Sequence, residues 1–97
     1  MLALYIVTYD ISDPKRLQRV FKTMRNYGDH LQLSVFECQL SGADLAILRE
    51  KLRELIHPDE DQVLFIRLGP VESHRDEPAI EALGRPYAPR DYSVVVL

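Results

Sequence analysis

Residues 3–14 contain the clearest signal for the fold and read Ala-Leu-Tyr-Ile-Val-Thr-Tyr-Asp-Ile-Ser-Asp-Pro. Its first seven residues are uncharged and nearly all aliphatic or aromatic, which is typical of a strand covered on at least one face. Ser12 and Asp13 are both residues that cap helices, and Pro14 suits the first helical position because its missing N–H needs no partner there. A buried strand therefore leads directly into a helix.

That first helix is predicted from an apolar stripe at helical spacing, which comprises Leu17, Val20, Phe21, Met24 and Tyr27. We expect Gly28 to supply the left-handed residue that ends the helix. Residues 31–40 then alternate like a strand, but the apolar parity changes between Val35 and Phe36. A period of two cannot change parity without a bulge or a reversal. This segment is therefore either two short strands joined at Ser34–Phe36 or one bulged strand.

A second helix is expected to begin at Ser41, where Asp44 completes a capping-box-like arrangement. Its apolar stripe comprises Leu45, Leu48, Leu52, Leu55 and Ile56, and His57-Pro58 ends it. Gln62–Leu68 is the next predicted strand. The resulting order, β-α-β-β-α-β, is the ferredoxin-like α+β arrangement, an antiparallel sheet with both helices on one face.

The remainder of the chain is less regular. We predict a single domain over residues 1–97, with a core at 1–69 and a C-terminal extension at 70–97. Ala79–Leu83 has a weak helical pattern, whereas Val94–Leu97 ends the chain as a strong strand former. Such a strand needs a pairing partner, and the sheet edge of a second subunit is a suitable template.

Composition excludes several classes of protein. The 97 residues suffice for one domain, and a hydrophobic fraction of 46% with a net charge of −3 is unlike that of a disordered chain. No apolar run approaches the roughly 20 residues that span a bilayer, and the N-terminus lacks the basic region of a signal peptide. The single cysteine, Cys38, suits a reducing compartment. We therefore expect a cytoplasmic protein without membrane segments.

Charge is distributed unevenly along the chain. The net negative charge argues against unspecific binding to nucleic acid. Yet residues 14–28 contain no acidic residue and five basic ones, which are Lys15, Arg16, Arg19, Lys22 and Arg25. One interpretation is an ordinary solvated helix face. The other is contact with a phosphate backbone, because helix surfaces normally mix signs for i,i+4 pairing.

Asp10 is the residue that we single out for chemistry, because the usual signatures of a phosphate loop, a zinc site or a nucleophile elbow are missing from the sequence. Two interpretations of Asp10 stay open. Its carboxylate caps the first helix or solvates the strand end. Alternatively, it binds a hard metal such as Mg²⁺, for which a two-fold axis would bring a second carboxylate to complete the site with waters and a phosphate oxygen.

The motif that combines these features is Tyr9-Asp10-Ile11, Lys15-Arg16, Arg19-Val20, Tyr27-Gly28, Gln32 and Ser34-Val35-Phe36-Glu37. It resembles the CRISPR-associated Cas-two family over residues 4–68. The resemblance implies a ferredoxin-like homodimer with the two sheets facing each other. It also implies that Val94–Leu97 crosses to the neighbouring subunit.

The resemblance also implies an activity, which is divalent-metal-dependent cleavage of RNA or double-stranded DNA with Mg²⁺ or Mn²⁺. Asp10 is then the catalytic, metal-binding carboxylate. The cleft positions of the family fall on Tyr9, Arg16, Arg19, Ser34 and Phe36. His30 occupies a position that is often basic in relatives, which would make a phosphate contact there pH-sensitive. From packing alone, we expect Phe36 in the core rather than as a base-stacking platform.

The leading hypothesis is a CRISPR adaptation protein that binds a nucleic-acid duplex through the first helices and bridges dimers of a Cas-one-type integrase during spacer acquisition. Two versions of this hypothesis stay open, one in which phosphodiesters are hydrolysed at Asp10 and one in which they are not. The rivals are a purely structural adaptor, a toxin-like ribonuclease that needs no integrase, and a ferredoxin-like ligand-sensing module that needs no cationic helix.

Overall fold

The structure, a computed structural model, describes residues 1–71 and 79–87. Its elements are β1 (Ala3–Asp10), α1 (Pro14–Met24), β2 (Gly28–Gln32), β3 (Val35–Leu40), α2 (Gly42–Leu55), β4 (Gln62–Pro70) and β5 (Ala79–Gly84). The predicted β-α-β-β-α-β order is confirmed through β4, and β5 extends it. Val94–Leu97 lies outside the described residues, so its exchange between subunits stays a prediction.

The sheet has the strand order β2-β3-β1-β4-β5, and every neighbouring pair is antiparallel. Strand β1 is central, as the uncharged composition of residues 3–9 predicted. Alternate residues of β1, namely Tyr5, Val7 and Tyr9, are buried. They share one core with buried residues of both helices, Val20 and Met24 on α1 and Leu48 and Leu52 on α2. The ferredoxin-like fold is thereby confirmed.

The opposite face of the sheet is apolar where β1, β4 and β5 meet, although Glu37 of β3 lies beside Ile6 on the same face, and it has no helix packed on it within the described residues. Ile6 and Thr8 of β1 lie opposite Ile66 and Leu64 of β4, and Ile66 in turn lies opposite Ile80 of β5. The β1 and β4 members are only half-buried, and Ile80 is 43% exposed. We call this surface the open face.

The helix ends are partly as predicted. Asp13 is the N-cap of α1, and its carboxylate accepts hydrogen bonds from the backbone N–H groups of Lys15 and Arg16 at 3.0 and 2.9 Å. Ser41 caps α2 by accepting from the N–H of Asp44 at 3.1 Å. None of the described helices is long and apolar enough to cross a membrane.

The prediction of a left-handed Gly28 is wrong. Helix α1 ends at Met24, and Gly28 is the first residue of β2, without a positive φ. It is needed for space, because a Cβ atom there would collide with the Cys38 thiol and the Glu37 carbonyl of β3. A glycine after a helix thus marked a close strand contact rather than a cap.

The prediction of two strands within residues 31–40 is confirmed, but the first of them, β2, begins three residues earlier than predicted, at Gly28. The reversal lies at Leu33–Ser34, one residue earlier than expected, and Leu33 has a φ of +31°. The helical pattern predicted for Ala79–Leu83 is wrong, since these residues belong to β5. Ile80 and Leu83 are spaced as on a helix, but the unpaired edge of β4 supplies hydrogen bonds to a strand.

Candidate functional site

Asp10 is the last residue of β1 and lies on the open face, since it alternates with the buried Tyr9. Its side chain is 75% exposed. The carboxylate does not cap α1, because Asp13 has that role. The prediction that Asp10 caps α1 is therefore wrong. Its carboxylate can bind other groups instead.

The partner that Asp10 has in this chain is Arg85, the residue directly after β5. Nη2 of Arg85 donates to Oδ2 of Asp10 at 2.5 Å. The backbone of Arg85 is held at both ends, because its N–H donates to the Asp61 carbonyl at 2.7 Å and its carbonyl accepts from the Gln62 amide at 3.0 Å. No local pattern predicts this pair, since 75 positions separate its members.

A divalent cation finds an incomplete set of ligands in one chain. The described residues contain no group of three or more His, Cys, Asp or Glu side chains that could hold a metal. Asp10 borders a small cleft of about 70 Å³, together with Thr8, Gln62 and Leu64. An exposed carboxylate has the hard oxygen donors that Mg²⁺ and Mn²⁺ prefer. The donor atoms of Asp10 therefore fit such an ion, but the described residues of one chain do not complete its coordination.

A network of polar contacts at the start of β4 centres on Asp61. The sequence pattern did not predict a role for this residue. Asp61 is fully buried and immediately precedes β4. Its carboxylate accepts hydrogen bonds from Nε of Arg16 at 2.8 Å and from the backbone N–H groups of His57 at 2.8 Å and Ser12 at 3.0 Å. One side chain thus joins the β1–α1 loop, helix α1 and the α2–β4 loop.

The electrostatics of Asp61 follow from these contacts. Burial alone would raise the pKa of its carboxyl group. The hydrogen bond from Arg16 and those from the backbone of His57 and Ser12 outweigh burial and hold the pKa well below its usual range. The carboxylate is charged, and it keeps the Arg16 guanidinium in place.

Arg16 therefore differs from the other cations of the α1 segment, because it has ion-pair partners. It pairs with Asp61 and, at 3.2 Å, with Glu60, and its side chain is 23% exposed. Lys15, Arg19 and Lys22 follow one another at i, i+4 and i+7 and are exposed. Arg25 lies beyond the helix with its guanidinium 5.8 Å from the centre of the Phe21 ring. None of these last four forms an ion pair with a described residue.

The residues predicted to support the cleft lie together, but on the helix side of the sheet. Phe36 is fully buried, which confirms its expected place in the core. The His30 ring packs on Phe36 and Phe21 with centroids 4.9 and 5.0 Å apart, and its Nε2 donates to the Leu33 carbonyl at 2.7 Å. Asp10 points to the opposite face.

Tyr9 joins that aromatic group to the hairpin turn. Its backbone N–H donates to the Ser34 carbonyl at 3.1 Å, and its ring stacks on Phe36 with centroids 6.3 Å apart. Burial raises the pKa of the Tyr9 hydroxyl, and a side-chain hydrogen bond with Ser34 partly offsets this. Tyr9 and Ser34 thereby fix the end of β1, from which Asp10 projects.

Comparison with known proteins relates these features to one family. Residues 1–75 match the family model for the CRISPR associated protein Cas2. The chain is 41% identical over 93 residues to a Rhodospirillum rubrum protein named CRISPR-associated endoribonuclease Cas2 1. This match covers 96% of the chain and 89% of that protein. A Geobacter sulfurreducens protein named CRISPR-associated endoribonuclease Cas2 is 40% identical, covering 89% of the chain and 88% of its own length.

Solved structures agree with the sequence matches. Streptococcus pyogenes Cas2 superimposes with a TM-score of 0.61 at 34% identity, covering 64% of this chain and 81% of its own. A hypothetical protein, TT1823 from Thermus thermophilus, superimposes with a TM-score of 0.63 at 28% identity over 100% of this chain and 98% of its own. Since the family model spans most of the sequence and close relatives match nearly end to end, the chain belongs to the CRISPR-associated Cas2 family.

Proposed function

We propose that this protein is a homodimeric CRISPR adaptation protein with a divalent-metal-dependent nuclease site, which the two copies of Asp10 share. The observation that carries the proposal is the position of Asp10. Its carboxylate is 75% exposed at the end of the central strand and on the open face, where a second copy of the chain would meet it. The relatives named endoribonuclease support cleavage of RNA.

Dimerisation through the open face follows from its composition. Ile6, Leu64, Ile66 and Ile80 form an apolar surface without a covering layer among the described residues. Contiguous apolar patches of this kind mark interfaces in soluble proteins. Two copies related by a two-fold axis would bury the patch and bring their Asp10 carboxylates to the same interface.

The chemistry of the proposed site divides between the metal and the chain. A bound Mg²⁺ or Mn²⁺ ion supplies Lewis-acid assistance to phosphodiester hydrolysis. Asp10 holds the ion, while Tyr9 and Ser34 fix the strand end from which Asp10 projects. Lys15, Arg19 and Lys22 attract the phosphate backbone to the subunit.

A second role, that of a non-catalytic adaptor, is favoured by one feature of the site. Among the described residues of one subunit, no group of three or more metal-ligating side chains accompanies Asp10, and Asp10 already pairs with Arg85. In that role the dimer binds duplex DNA through its α1 helices and bridges dimers of a Cas-one-type integrase. Nucleic-acid binding then suffices without cleavage.

The Asp10→Asn variant tests these proposals, with Asp59→Asn as the matched control because Asp59 is exposed in a loop outside the site. Cleavage of labelled RNA and duplex DNA is measured with Mg²⁺ or Mn²⁺, and spacer acquisition is measured in cells that carry the cognate integrase. We expect D10N to reduce cleavage to the level without enzyme, while D59N cleaves normally.

The outcomes separate the candidates. Loss of cleavage with intact spacer acquisition favours the adaptor role. Loss of both ties acquisition to the Asp10 site. Unchanged cleavage by D10N rejects Asp10 as the metal ligand. Cleavage by a protein that does not retain the integrase in a pull-down favours a ribonuclease that acts alone.

A further inference from the structure

Arg85 occupies the carboxylate that the proposed function assigns to a metal. Its Nη2 atom donates a charge-assisted hydrogen bond to Oδ2 of Asp10. A guanidinium and a divalent cation both seek the same oxygen atoms. If both were bound to one carboxylate, their positive charges would lie close enough to repel each other. The two cations are therefore competitors for Asp10.

The backbone at the end of β5 positions Arg85 for this contact. Gly84 has a φ of +88° and lies against the Asp61 carbonyl with no room for a Cβ atom. This geometry allows the Arg85 N–H to donate to the same carbonyl at 2.7 Å. The amide of Gln62 holds the next two carbonyls, those of Arg85 and Pro86, at 3.0 and 2.9 Å. The end of β5 thus carries the guanidinium to Asp10 from a fixed point.

The guanidinium is not fully satisfied in this position. Its Nε atom is buried and has no acceptor among the described residues. A buried donor without a partner favours an alternative position of the side chain. Asp10 is 75% exposed and Arg85 is 41% exposed, so the contact can also open to solvent without repacking the core.

We propose that Arg85 is a gate on the Asp10 site, in which its guanidinium neutralises Asp10 until a divalent cation displaces it. This inference rests on the proposed function, because it requires Asp10 to be the metal ligand. It adds a residue that sets the metal concentration at which the site fills. The gate raises that concentration above the value of an unpaired carboxylate.

Direct metal binding tests the gate without any measurement of activity. Mn²⁺ is titrated calorimetrically into the dimer in the absence of nucleic acid, for wild type, Arg85→Gln, Arg85→Lys and Asp10→Asn. Arg49→Gln is the matched control, because Arg49 also pairs with a carboxylate of β5, Glu81 at 2.7 Å, but on the helix side of the sheet. A thermal melt of each variant shows that it is folded.

We expect R85Q to bind Mn²⁺ about two- to fivefold more tightly than wild type, the range that corresponds to loss of one exposed ion pair. R85K keeps the charge without the fork of the guanidinium, and its affinity should fall between the two. R49Q should bind as wild type does. D10N should not bind at this site.

Two different failures are distinguishable. If D10N binds Mn²⁺ as wild type does, Asp10 is not the ligand, and the proposed function loses its metal site. If D10N abolishes binding while R85Q and R85K bind no more tightly than R49Q, the metal site stands and the gate is rejected. Weaker binding by R85Q also rejects the gate, since it would make Arg85 a support of the site rather than a competitor.

Discussion

At the scale of single residues, Asp61 joins parts of the chain that are far apart in sequence. Its buried carboxylate binds Arg16, His57 and Ser12. Replacing Asp61 by Asn removes the charge that holds Arg16. We expect the free energy of unfolding to fall by about 2–3 kcal/mol, the cost of losing hydrogen bonds to a buried charge. Urea denaturation at pH 7 measures this loss.

Glu60→Gln is the control for that prediction, because Glu60 pairs with the same guanidinium but is 56% exposed. Exposed pairs contribute about 0–1 kcal/mol, so E60Q should remain close to wild type. Equal losses in the two variants would contradict the central role of Asp61.

The pH dependence of stability follows from the same carboxylate. The folded-state pKa of Asp61 lies below the unfolded value of about 4. Its contribution is therefore fully present above pH 4 and is lost as the pH falls through the folded-state pKa. The difference in unfolding free energy between wild type and D61N should be constant from pH 7 to about pH 5 and shrink below pH 4. Urea titrations across this range measure it, and a difference that grows on acidification would refute the sign.

At the scale of elements, the end of β5 depends on Gly84. Alanine there would have to adopt a φ of +88° and place its Cβ atom against the Asp61 carbonyl. We expect Gly84→Ala to cost about 1–3 kcal/mol of stability, the range for strained backbone positions. Gly42→Ala is the control, since a Cβ atom there has no neighbour within 4 Å. Thermal denaturation of both variants should show a lower midpoint for G84A alone.

Helix α1 carries a prediction on nucleic-acid binding. Arg19 and Lys22 are exposed and, within the described residues, lack ion-pair partners. If both contact phosphates, the variant R19Q/K22Q should reduce the slope of log affinity against log salt by about 1.8 for duplex DNA. The control K51Q/R53Q removes two exposed charges from α2. Titrations of labelled duplex at several salt concentrations compare the slopes, and equal slopes for both variants would place the phosphate contacts elsewhere.

At the scale of the whole molecule, the open face predicts the assembly. Ile66 lies in the middle of that face, opposite Ile6 on one side and Ile80 on the other. Ile66→Glu would place a charge in the proposed interface, and burial of an unpaired charge is costly. We expect I66E to elute with the mass of a monomer in size-exclusion chromatography with light scattering, and we expect wild type to elute as a dimer.

The control for that experiment is Ile47→Glu, because Ile47 is 51% exposed on α2 and lies away from the open face. I47E should remain a dimer. If I66E is dimeric as well, the subunits meet through another surface, and a metal site shared between two Asp10 residues loses its basis.

The fold was largely predictable because its signals are local. An apolar run made β1 central, and capping residues placed the starts of both helices at Asp13 and Ser41. Gly28 and residues 79–83 were interpreted incorrectly because their states depend on contacts across the sheet. Gly28 meets β3, and β5 satisfies the edge of β4. Local pattern cannot report such long-range pairing.

The candidate site, like the fold, was predictable from the sequence only in part. The ferredoxin-like order, the position of Asp10 at a strand end and the clustering of cations on α1 were predictable, because each follows from residue type and spacing. The pairing of Arg16 with Asp61 and that of Arg85 with Asp10 became evident from the folded chain alone. Electrostatic partners depend on distance in space, and the pairs are 45 and 75 positions apart along the chain.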